Sequence, residues 1–157
     1  MTKIDERYLS LFRKAFSFLI NDFGFREKSL ELDNLGIRLL FCNSTTGVRI
    51  SYEPCEGDIF VMLIRLVDGK QPDYPIFIDE DTVLHYFDLQ DLLSVRIPCF
   101  KENNFKIGKT NSELENYIKQ IAKNLRTQAE DILKGDFTIF SKLERIVKER
   151  ARQLNEH

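Results

Sequence analysis

The sequence predicts an α+β fold: an N-terminal helix, a four- to five-stranded antiparallel meander, and two long C-terminal helices packed on one sheet face. Three observations carry this. Apolar residues recur at three and four toward both ends of the chain, which is helical periodicity. Between them, short strand-like segments are broken by turn-rich tetrads and pentads at the spacing of a meander. No internal repeat, low-complexity tract or Pro/Gly-rich linker divides the chain, so a single α+β domain over 1–157 is expected. With 43% apolar and 31% charged residues, a chain of 157 residues can bury a core without disulfide or metal staples.

From Asp5 to Phe23, the positions Tyr8, Leu11, Phe12, Ala15, Phe18, Leu19 and Phe23 form one apolar stripe, and Gly24 is a natural stop. Four strand segments come next, separated by DNLG at Asp33–Gly36, NSTTG at Asn43–Gly47 and EPCEG at Glu53–Gly57. In the third, Val48, Ile50 and Tyr52 alternate with Arg49, Ser51 and Glu53, so one face is buried and the other wet. The fourth, Asp58 to Val67, is apolar on both faces until Arg65 and belongs centrally in the sheet. A short fifth strand is expected around Ile76 to Ile78. The acidic residues after it suggest one or two helical turns capped by Asp79 or Asp81 and by Asp88, and residues 97–110 read as an irregular loop.

Thr110 with Glu113, or Ser112 with Glu115, offers a capping box for the first of the two closing helices. Its stripe runs through Leu114, Tyr117, Ile118, Ile121, Leu125, Ala129, Ile132 and Leu133 to Gly135, and Asp136 can cap the next helix. There Ile139, Phe140, Leu143, Ile146, Val147, Ala151 and Leu154 share one side.

Several function classes lose their footing at this level. A net charge of −2 supplies no bulk basic field for nucleic acid or an anionic membrane. Lys142, Arg145, Lys148 and Arg152 share a face of the last helix, but Glu149 falls within it and Glu144 beside it, as on a solvated surface. The longest strongly apolar run, Ile59 to Ile64, is far short of the ~20 residues that cross a bilayer. The opening MTKIDERYLSLFRKAF has charges where a signal peptide is apolar, and Cys42, Cys55 and Cys99 are odd in number, so a cytoplasmic protein with reduced thiols is expected. Those thiols with His85 lack zinc-ligand spacing, and the glycines form no phosphate-binding motif; Gly108-Lys109-Thr110 only superficially ends like one. No metal, cofactor or catalytic residue is assigned.

One stretch departs from the mixed charge elsewhere. Between Pro72 and Leu93 stand Asp73, Asp79, Glu80, Asp81, Asp88 and Asp91, with no Lys or Arg, and Tyr74, Phe77, Tyr86 and Phe87 are interleaved. Asp is ordinary in turns and helix caps. Yet carboxylates around aromatic anchors are also what a protein offers to a basic partner, the aromatics supplying affinity and the charges steering encounter. Asp73, Tyr74, Asp79, Glu80, Asp81, Tyr86, Asp88 and Asp91 are the partner-binding candidates.

The order of elements resembles a known group. A helix ending in Gly24-Phe25, a short meander, DLQDLL at Asp88–Leu93, and final helices joined by LKGDFTIFSKLERIVKER at Leu133–Arg150 resemble small uncharacterised bacterial proteins, some of them similar to the immunity proteins that neutralise toxins delivered between competing cells. The resemblance implies a bacterial binding protein and no catalytic residues. The leading expectation is therefore a non-enzymatic module engaging a basic protein, such as a toxin domain, through residues 73–91. Two alternatives stand beside it: a small hydrolase or transferase using His85 with neighbouring carboxylates, and a structural subunit that forms a homodimer through an exposed sheet face or edge.

Overall fold

The computed structural model describes residues 3–55, 57–101 and 111–156. It is an α+β fold around a five-stranded antiparallel sheet in the order β1-β2-β3-β4-β5. The strands are β1 (Arg26–Asp33), β2 (Gly36–Cys42), β3 (Thr46–Glu53), β4 (Asp58–Arg65) and β5 (Tyr86–Asp88). Helices α1 (Lys3–Ala15) and α2 (Ser17–Phe23) precede the sheet, while α3 (Leu89–Arg96), α4 (Asn111–Gln128), α5 (Glu130–Leu133) and α6 (Phe140–Asn155) come after it. Among the described residues, no helix is long and apolar enough to cross a membrane.

The pleat sorts the sheet residues. Rows such as Leu39–Ile50–Val61 and Phe41–Val48–Leu63–Phe87 share one face, because directly opposed residues in antiparallel strands point the same way. These residues join the main hydrophobic core with Phe12 and Phe16, with Ile118, Ile121 and Leu125 of α4, and with Phe140 and Leu143 of α6. The opposite face carries Arg38, Leu40, Arg49, Ser51, Phe60 and Met62. At one end of it a small second cluster gathers Cys42, Ile64, Leu66 and Tyr86.

The predicted turns at Asp33–Gly36 and Asn43–Gly47 fall where expected, and the third, Glu53–Gly57, joins β3 to β4 with Glu56 outside the described residues. Asp33 accepts from the backbone N–H of Leu35 and Gly36 at 2.8 and 3.2 Å, and a Cβ on Gly36 would lie 1.9 Å from the Tyr52 carbonyl oxygen, so only glycine fits there. Asn43 closes the second turn through bonds from the backbone of Thr45 and Thr46, and its amide also reaches the carbonyls of Phe23 and Leu133 at 3.3 and 3.0 Å. One asparagine thus ties the sheet to the ends of two helices.

Four elements differ from the sequence reading. The first helix is two, α1 and α2, separated at Phe16, whose fully buried ring continues the apolar stripe through the break. Gly24 does end α2, in the left-handed region at φ 70° with its N–H on the Leu19 carbonyl. The strand expected at Ile76–Ile78 is absent; β5 lies at Tyr86–Asp88, paired with β4 through Ile64–Tyr86 and Leu63–Phe87. The long stripe to Leu133 is α4 and α5, interrupted at Ala129. Asp136 caps a turn ahead of α6, its carboxylate accepting from the Thr138 N–H at 3.0 Å, and α6 itself begins at Phe140. The capping-box residue Thr110 lies outside the described residues, as does the Gly108-Lys109-Thr110 motif. The α6 stripe thins outward, with Phe140 and Leu143 buried but Leu154 73% exposed.

Candidate functional site

The chain takes 20 residues to pass from β4 to β5, residues 66–85, and the acidic candidates begin within this crossing. It starts with a tight turn in which Val67 and Lys70 exchange backbone hydrogen bonds of 2.9 and 3.0 Å. It then crosses the open sheet face, where the Tyr86 hydroxyl donates to the Pro72 carbonyl and the Tyr74 ring meets Tyr86 edge-on, centroids 5.3 Å apart. Asp79 shapes the next turn. Its carboxylate accepts from the Asp81 N–H and the Thr82 hydroxyl, both at 2.9 Å, while its own N–H donates to the Thr82 oxygen at 3.0 Å. The Thr82 hydroxyl, and then the Asp81 N–H, hold the Asp79 carboxyl below the ordinary carboxylate range.

Two contacts from α6 anchor the far side of the loop. Lys148 Nζ donates to the Glu80 carbonyl at 2.8 Å, and the Leu84 N–H donates to the Glu144 carboxylate at 2.9 Å. The loop is thus held at Pro72, Asp79, Glu80 and Leu84. Between these points Ile76 and Phe77 are 91% and 82% exposed, and Tyr74 and Val83 are also exposed. Asp73, Asp79, Glu80 and Asp81 are exposed around them. Among the described residues no ion pair engages these four carboxylates.

The remaining candidates sit elsewhere. Tyr86 is buried in the small sheet-face cluster. Asp88 is the N-cap of α3, accepting from the Gln90 N–H at 2.8 Å. Asp91 accepts from Arg150 of α6 at 2.7 Å. The absence of basic residues from this stretch therefore holds along the sequence only. In space α6 brings Lys148 and Arg152 to its edge, where with Asp79, Glu80, Arg145 and Glu149 they line a cleft of about 530 Å³.

His85 lies outside any helix, just ahead of β5. Its Nδ1 accepts from Arg65 Nε at 3.2 Å, and its carbonyl accepts from the Arg65 N–H at 2.8 Å. Burial first, and then the Arg65 charge, lower its pKa, so the imidazole is held neutral. Among the described residues no hydroxyl or thiol is hydrogen-bonded to it. Cys42 is buried, and burial pushes its thiol pKa up; Cys55 and Cys99 are exposed. No group of three or more His, Cys, Asp or Glu among the described residues is arranged to hold a metal ion.

Two features escaped the sequence reading. The contacts from Lys148 and Glu144 span 68 and 60 residues, and no local pattern announces them. On the other sheet face Arg49 stands over the Tyr86 ring at 5.8 Å from its centroid; strand alternation placed it on a wet face but could not supply the ring. In comparison with known proteins, the chain matches no family model, no curated protein and no solved structure.

Proposed function

We propose that this chain is a non-enzymatic protein-binding module, acting in the cytoplasm as an immunity-type inhibitor, and that residues 73–83 engage a basic protein such as a toxin domain. One observation carries the reading: a loop tied down at several points presents Ile76 and Phe77 to water, 91% and 82% exposed, in a stretch whose carboxylates Asp73, Asp79, Glu80 and Asp81 are exposed too. Leaving a side chain of that kind in water forgoes roughly 1.5–3 kcal/mol of burial energy. A loop that could fold them inward would gain by doing so, and here the chain turns at Asp79 and is held at Glu80 with both side chains outward. Exposed apolar anchors on a constrained loop bind at low entropic cost, and the surrounding charges favour partners of opposite sign. In this account α4 and α6 lie together on one sheet face, and α6 doubles as the brace for the binding loop.

Affinity capture from lysate of the source cells tests the proposal. Three baits are compared: wild type, I76S/F77S, and a variant with Asp79, Glu80 and Asp81 all changed to Lys. A basic protein retained by wild type and lost from both variants is expected, and its purified form should associate more slowly with wild type as salt rises. Equal retention on all three baits, or a retained partner that is acidic, would remove residues 73–83 as the surface.

A further inference from the structure

A second site lies on the open sheet face, bordered by the start of the crossing segment. Ser29 of β1, Arg38 of β2, and Arg49 and Ser51 of β3 line a groove of about 290 Å³ with Glu31 and Gln71, the last contributed by the crossing segment. The charges in it are unequally occupied. Arg38 spends its donors on Glu31, at 3.0 Å, and on Asp33. Among the described residues, Arg49 has no ion pair or hydrogen bond, and no hydrogen bond occupies the hydroxyls of Ser29 and Ser51. Arg49 is nevertheless half-buried and placed: its guanidinium lies over the Tyr86 ring, and that ring is fixed by the bond from its hydroxyl to the Pro72 carbonyl.

The geometry points to a binding site for a small monocarboxylate, with Arg49 as its counter-ion. A guanidinium presents a planar fork of donors that matches a carboxylate, and a partly desolvated one without an anion has that capacity unspent. Ser29 and Ser51 flank it with free hydroxyl donors, and Gln71 offers an amide. With Arg38 already bonded to Glu31 and Asp33, Arg49 is the lining charge left without an anion among the described residues, so a singly charged acid balances the groove. The volume, at the lower end of the range for drug-sized ligand sites, suits a molecule of few heavy atoms.

The test is an NMR titration of the full chain with N-acetylglycine, and in parallel with inorganic phosphate, following the arginine Nε–Hε signals. The Arg49 signal should shift saturably with N-acetylglycine while that of Arg13, engaged by Glu27, stays in place. R49Q should bind about tenfold or more weakly, the usual consequence of losing a charge-assisted bond. Should R49Q not fold, the wild-type titration decides alone. Arginine signals that all drift together with ionic strength, phosphate binding as tightly as N-acetylglycine, or undiminished binding by folded R49Q would each overturn the assignment.

Discussion

Residues 73–83 and 86–91 are neighbours of the same acidic and aromatic character, and the fold uses them in opposite ways. In the second segment the aromatic and acidic side chains are committed: Phe87 packs edge-on against Phe140 with centroids 4.6 Å apart, Asp88 caps α3, and Asp91 pairs with Arg150. In the first, the commitments are made mainly by backbone groups and by Asp79 and Thr82, which leaves Tyr74, Ile76, Phe77 and Val83 facing water. A run of like charge is thus no surface in itself. What remains for a partner is the part that the chain's own caps and distant cations have left unused.

Substitutions along the two segments should separate them by the size of the stability loss. The largest is expected for Phe87→Ala, about 3–5 kcal/mol in urea unfolding, since the ring is fully buried and the cavity would open beside Phe140. Asp88→Ala should cost about 1 kcal/mol, the usual loss for a helix N-cap. An effect at Asp88 as large as that at Phe87 would mean that the acidic residues carry the core, and the contrast between segments would fail.

Between them, His85 should make stability pH-dependent. Its folded pKa is depressed, by burial and then by Arg65, so on acidification the unfolded state takes up the proton first, and stability falls as pH drops below about 6.5. His85→Gln should flatten that part of the profile, which unfolding curves across pH 5 to 8 would reveal; about half of such a pH range lies below the reference value. The smallest effect belongs to Phe77→Ala. With the ring 82% exposed, stability should change by no more than about 0.5 kcal/mol. A larger loss would show that Phe77 is packed and unavailable to a partner.

Much of the fold was legible because helix and meander signals are local. The stripes of α4 and α6 and the turns at Asp33–Gly36 and Asn43–Gly47 come from periodicity and turn chemistry over a few residues. The failures share a cause. Phe16 breaks a helix while its ring keeps the apolar spacing, and no Gly or Pro marks the site. β5 has three residues, and its pairing to Ile64 and Leu63 is fixed across the sheet, not within YFD. Ile76-Phe77-Ile78 has strand composition, yet Asp79 and Thr82 turn the chain and the first two side chains point outward. Of the candidate site, the acidic and aromatic composition was visible. The division into used and unused halves was not, because Lys148, Glu144 and Arg150 reach it from an element some 60 residues away in sequence.

The most direct test of the central claim is photo-crosslinking in the source cells with p-benzoylphenylalanine in place of Phe77, and with the same group in place of Leu35 as a control. Leu35 is 68% exposed in the β1–β2 turn, so both probes are open to solvent and only one lies on the proposed surface. A discrete adduct with a basic protein from position 77, absent from position 35, is the predicted result. The same adducts from both positions, or none from position 77, would contradict the assignment of residues 73–83 as the partner surface.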